Sequence, residues 1–176
     1  PAKCSTVLPG VIYLEMARAA IEKATQSLEQ GNSDTKTLCL HKVTWSQPFV
    51  SAASEHEVHI SLFEDETKRA SGQQIHYEIY SETDGGDAYL MLSEGRAELN
   101  NALGRASLDL AALQSEMTLG KLDSDACYQG IKTLCLGNGQ ALATLVLPET
   151  LHETQSAFVL HPSLMEGALQ SAVGLM

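Results

Sequence analysis

The hydrophobic pattern divides the chain into two stretches built on one plan. In residues 8–28, Val11, Ile12, Leu14, Met16, Ala19, Ala20, Ile21 and Ala24 recur at helical spacing and leave Glu15, Arg18, Glu22 and Lys23 largely to one side. This spacing predicts a long, mostly buried helix. Pro9-Gly10 breaks the extended segment Thr6-Val7-Leu8 before it, and Gln30-Gly31-Asn32-Ser33-Asp34 stops it. Strand character follows at 37–49, 56–63, 75–81 and 89–98, separated by the turn-rich runs SAASE, DETKRASG and ETDGGD. The alternation in 75–81 is that of a half-buried antiparallel strand. One helix followed by a four-stranded meander predicts an α+β layer with the sheet wrapped about the helix.

Residues 100–124 are less regular and are expected to form a linker or crossover with a short helix at about 109–114. Strands are predicted at 130–136 and 140–147, joined by Gly137-Asn138-Gly139, where glycine supplies positive φ cheaply. A short strand at 156–160 leads to His161-Pro162, and a second apolar helix begins there, with Leu164, Met165, Ala168, Leu169, Ala172 and Val173 at helical spacing. An extended segment ending at proline and then a buried helix thus occurs twice, which indicates a duplicated unit. The expected organisation is 1–99, a linker over 100–124, and a partial second unit over 125–176. By the logic of the repeat, further strands are expected after Met176.

Composition narrows the partners. With 44% hydrophobic and 19% charged residues the chain is a folded globular one, neither disordered nor fibrous. A formal charge of −11 disfavours nucleic acid and anionic membrane, because phosphates would be repelled, and obliges any acidic partner to find a local basic patch. No apolar run approaches the ~20 residues of a spanning helix and no signal peptide is visible, so a cytoplasmic location is expected. The four cysteines form no CxxC pair, and Cys39 and Cys135 sit in apolar runs, so neither a disulfide framework nor a zinc site is indicated. His56 and His59 stand three apart, and on a strand they would face opposite sides, which argues against a shared metal.

Two motifs are more specific. The run from Val7-Leu8-Pro9-Gly10-Val11 to Ala17 resembles the opening of the first helix in polyketide synthase dehydratase domains. His161-Pro162-Ser163-Leu164-Met165-Glu166-Gly167-Ala168-Leu169-Gln170 resembles the HPxxxD…Q motif that opens their second. Leu136-Gly137-Asn138-Gly139-Gln140-Ala141 with Leu147-Pro148 resembles their second sheet, particularly in bacterial assembly lines served by separate acyltransferases. The resemblance implies a double hotdog, two long central helices each wrapped by an antiparallel sheet, with the second hotdog incomplete in this chain. It also implies one substrate tunnel reached by both helix starts. There a histidine removes the α-proton of a β-hydroxyacyl thioester and a carboxylic acid protonates the departing hydroxyl, leaving an α,β-alkene. Imidazole and a carboxyl enclosed by apolar walls suit those tasks.

Carried over by motif position, Glu166 is the acid and Gln170 its polar partner one turn later. Pro9 and Gly10 end the family's HxxxGxxxxPG motif, and an unobstructed Gly10 N–H at a helix start can polarise the thioester carbonyl. Tyr13 and Leu164 are expected to line the substrate site, and His161 and Pro162 to anchor the second helix. The motif's histidine would fall immediately before Pro1, and none of the six histidines present takes its place by position. Cys4 stands at the motif's glycine and is assigned a packing or loop role. Glu166 replaces aspartate, which leaves intrinsic acidity almost unchanged and lengthens the side chain by one methylene. A YGxxF-like segment is absent, so a loop is expected to be missing between Gln129 and Gly130. The resemblance implies no metal or organic cofactor, a substrate carried on the phosphopantetheine of an acyl carrier protein, contacts with neighbouring synthase domains, and a homodimer. An enoyl isomerase or cyclase on the same fold, or a non-catalytic remnant, are the alternatives.

Overall fold

The computed structural model describes residues 6–26, 36–51, 57–64, 73–82, 88–101, 108–119 and 130–175. The contacts divide the chain into two compact units, 1–105 and 106–176.

In the first unit, β1 (Thr6–Leu8) leads into helix α1 (Ile12–Gln26), followed by β2 (Lys36–Trp45), β3 (Phe49–Ser51), β4 (Val58–Glu64), β5 (Gln73–Glu82) and β6 (Tyr89–Asn101). The helix starts four residues later than the apolar spacing suggested, because Leu8 pairs with Phe49 in the β1–β3 ladder. Gln47-Pro48 splits the predicted strand at 37–49 into β2 and β3, since proline cannot donate to a ladder. The main sheet is antiparallel in the order β2-β6-β5-β4, which corrects the simple meander. β4, β5 and β6 do follow one another, but β2 pairs with β6.

Alternation on β5 buries Ile75, Tyr77 and Ile79, which meet Tyr13, Ala17 and Ile21 of α1 and Leu92 and Ala97 of β6. On β6 both Leu92 and Ser93 are buried, because a register shift opposite Ile79/Tyr80 inserts one residue and reverses the alternation. Gly95 faces Tyr77, and a Cβ there would lie 2.5 Å from the phenol oxygen, so only glycine leaves room for the ring. Glu15, expected on the polar side of α1, is buried instead. Arg18 explains this, donating to both Glu15 carboxylate oxygens at 2.8 Å while also reaching Glu22.

In the second unit, Asp109 caps α2 (Leu110–Ser115) by accepting from the N–H groups of Ala111 and Ala112. β7 (Thr118–Leu119), β8 (Ile131–Gly137) and β9 (Gln140–Leu145) form an antiparallel sheet, and positive φ in the β8–β9 turn is confined to Gly139. The predicted strand at 156–160 is not one. Residues Glu149–Ala157 form a 3-10 helix, Phe158 after it is extended, and Val159 and Leu160 form a bend. Local bonds take the place of a ladder there: Leu151 N–H donates to the Pro148 carbonyl and the Thr154 hydroxyl to that of Leu151. Helix α3 (Pro162–Ser171) approaches the sheet through Gly167, where a Cβ would lie 3.2 Å from Leu145.

Candidate active site

Each proline-led helix start carries a set of the expected residues, and each set belongs to its own unit. At the start of α1, Pro9 is exposed and its carbonyl accepts from Ile12 N–H at 3.0 Å. The Gly10 carbonyl accepts from Tyr13 N–H at 3.2 Å, which closes the first turn, and also from the Trp45 indole N–H at 2.8 Å. The place of a Gly10 side chain is taken by the Trp45 ring, 3.0 Å from where a Cβ would stand. A side chain at position 10 would have to displace the Trp45 ring by a few tenths of an ångström, so packing favours glycine there, a demand that the motif alone did not reveal. Tyr13 lies in the core of the first unit at 1% exposure. Burial pushes its hydroxyl above the ordinary tyrosine range, opposed by the backbone of Phe49. Cys4 lies outside the described residues.

At the start of α3, His161 is the N-cap, with Nδ1 accepting from Ser163 N–H at 3.2 Å. Because Nδ1 accepts, Nε2 carries the proton and donates to the Thr154 hydroxyl at 3.0 Å, which in turn donates to the Leu151 carbonyl at 2.7 Å. Phe158 closes edge-on against the imidazole, with ring centres 5.3 Å apart. His161 is 7% exposed and both its nitrogens are engaged in holding the helix start. Pro162 follows at the first helical position, where its missing N–H costs nothing.

One turn on, Glu166 and Gln170 share a face, and Gln170 Nε2 donates to Glu166 Oε1 at 3.2 Å. That bond engages Glu166 Oε1 and fixes how the carboxyl group is oriented along the helix face. Glu166, Gln170 and Leu164 are all half-buried.

The remaining described histidines lie elsewhere. His152 bonds the Leu147 carbonyl at 3.0 Å. On the main sheet, His41 is 3.4 Å from Glu98, and His59 stacks on Tyr80 with Glu57 and Glu82 each 3.9 Å away. His56 lies outside the described residues. Among the described residues one group has the spacing to hold a metal ion: His76, Glu78 and Glu94, half-buried on the side of the sheet away from α1. Sequence spacing missed it, because Glu78 and Glu94 are brought together by the β5–β6 register.

Known proteins resemble this chain in sequence and fold. Residues 3–82 match the family model described as polyketide synthase dehydratase domain, and 96–176 match that of the polyketide synthase dehydratase N-terminal domain. Polyketide synthase PksN of Bacillus subtilis (strain 168) is 33% identical over 97% of this chain, and polyketide synthase PksM of the same strain 32% over 97%. The chain spans only 3% and 4% of those two proteins. A trans-AT PKS dehydratase domain from Brevibacillus brevis, solved by crystallography, superposes with a TM-score of 0.80 at 34% identity. It is covered to 62% by this chain, which is itself covered to 98%. The fold is that of the double-hotdog dehydratases, and the chain belongs to the dehydratase domain family of polyketide synthases.

Proposed function

We propose that the chain carries the acid side of a dehydratase site that eliminates water from a carrier-bound β-hydroxyacyl thioester. The observation that supports this most is the Glu166–Gln170 pair at the start of α3, half-buried and bonded at 3.2 Å. In its protonated form Glu166 gives the Oε2 proton to the β-hydroxyl as the C–O bond breaks, while Gln170 holds the other oxygen as an acceptor. Removal of the α-proton falls to the histidine that the family motif places before Pro1. Among the described histidines, His161 has both nitrogens engaged in capping and His152 bonds the Leu147 carbonyl, while His41, His59 and His76 lie on strands of the main sheet. Gly10 N–H, at the open end of α1, stabilises the negative charge that develops on the thioester oxygen. The substrate comes on the phosphopantetheine arm of an acyl carrier protein, and the domain works as a homodimer beside other synthase domains in the cytoplasm.

The test is mass spectrometry of the intact protein incubated separately with a β-hydroxyacyl and an α,β-enoyl pantetheine thioester. Loss of water from the first supports the dehydratase. Migration of the double bond in the second without water loss from the first identifies an isomerase, and no change in either identifies a non-catalytic domain.

A further inference from the structure

Strand β2 carries a bulge. His41 pairs with Arg96 and Thr44 with Glu94, so that Lys42 and Val43 together oppose Gly95. Lys42 has φ 53°, and among the described residues no other non-glycine residue has positive φ. A side chain in that region is strained and persists only where the surroundings impose it. The bulge reverses the alternation of the strand. Before it, Leu38 and Leu40 pack on the core. An uninterrupted strand would leave Trp45 on the opposite face, with Cys39 and His41. After the one-residue insertion, Trp45 turns back toward α1 and its N–H donates to the Gly10 carbonyl at 2.8 Å. Two donors, Trp45 Nε1 and Tyr13 N, then converge on one carbonyl and fix the plane of the Gly10–Val11 peptide.

We infer that Trp45 is a positioning residue of the dehydratase site: it holds the Gly10–Val11 peptide through the Gly10 carbonyl while Ile12 N–H holds the Pro9–Gly10 peptide through the Pro9 carbonyl, and the turn fixed from both sides presents the Gly10 N–H to the thioester oxygen. The inference rests on the role proposed for Gly10 above. Trp45 itself need not touch the substrate. It acts by removing the freedom of a glycine that would otherwise rotate, and a strained lysine upstream is the cost of directing it there.

The test replaces Trp45 in the intact protein with β-(3-benzothienyl)alanine, which keeps the ring outline and exchanges the N–H for sulfur, and separately with phenylalanine. Steady-state kinetics use a β-hydroxyacyl pantetheine thioester, and hydrogen–deuterium exchange is followed on the peptide containing Gly10 and Val11. Both replacements are expected to lower kcat about tenfold with KM unchanged, since the lost alignment is felt in the transition state. They are also expected to speed exchange in that peptide, while the benzothienyl variant keeps its melting temperature. Unchanged kcat in the benzothienyl variant, or unchanged exchange, overturns the inference, and so does a fall in melting temperature with kcat retained. If the unmodified protein eliminates no water, the proposed function fails instead, and exchange at Gly10 still decides whether Trp45 holds the turn.

Discussion

At the start of α1, Gly10 is tied to a tryptophan thirty-five residues away on another element, whereas at the start of α3 His161 caps its own helix and leans on Thr154 seven residues before it. The helices differ in the same sense. α1 buries Tyr13, Ala17 and Ile21 against its sheet, while α3 buries only Gly167 and leaves Leu169 46% exposed. One helix start is thus a product of the whole sheet, and the other closes from its nearest neighbours.

The widest separation is expected in the cores. Ile21→Ala should destabilise the first unit by about 2–5 kcal/mol, because a fully buried side chain leaves a cavity. Leu169→Ala on half-exposed α3 should cost below about 1 kcal/mol. Denaturant midpoints of the two variants check the contrast, and equal losses would break it.

Alkaline pH should single out the first unit next. Burial pushes the Tyr77 hydroxyl to about 12, which Ser93 only partly offsets. The folded state therefore holds this proton above the pH at which the unfolded chain loses it. The contribution is fully present below the ordinary tyrosine value of 10 and disappears as pH rises from 10 to about 12. Its size is on the order of 2–3 kcal/mol. Unfolding free energies measured across that window should fall in the wild type and fall less in Tyr77→Phe.

The helix caps give a smaller effect. His161→Ala should cost about 0.5–2 kcal/mol, since the Ser163 N–H loses its acceptor and Thr154 its donor. His161→Asn restores an acceptor at the cap and should recover part of that loss, as thermal melts would show.

What could be read from the sequence follows the same division. The caps, turns and short-range spacings were legible: His161-Pro162 reads as an anchoring turn, Asp109 opens the predicted short helix, and Glu166 and Gln170 fall one turn apart. What escaped was set by register. Nothing in the chain near Lys42 announces a bulge, so Trp45 appeared to be an ordinary strand residue, and the partner of β2 could not be told from the order of the strands. The 3-10 helix was missed for a related reason. The residues around Ala157, Phe158 and Val159 are apolar enough for a strand, but Thr154 and Pro148 offer the backbone closer partners. Glu15 looked solvent-facing because its partner, Arg18, is visible only as another polar residue one turn away.

The role proposed for Glu166, donor of the proton that releases water, is tested most directly by the rate of water loss from a β-hydroxyacyl pantetheine thioester by Glu166→Gln beside the wild type. The side chains are nearly equal in size, and the Gln170 contact at Oε1 can be kept. A fall in kcat of about 10²–10⁴-fold with KM and melting temperature unchanged is the predicted result. Water loss at the wild-type rate would contradict the assignment.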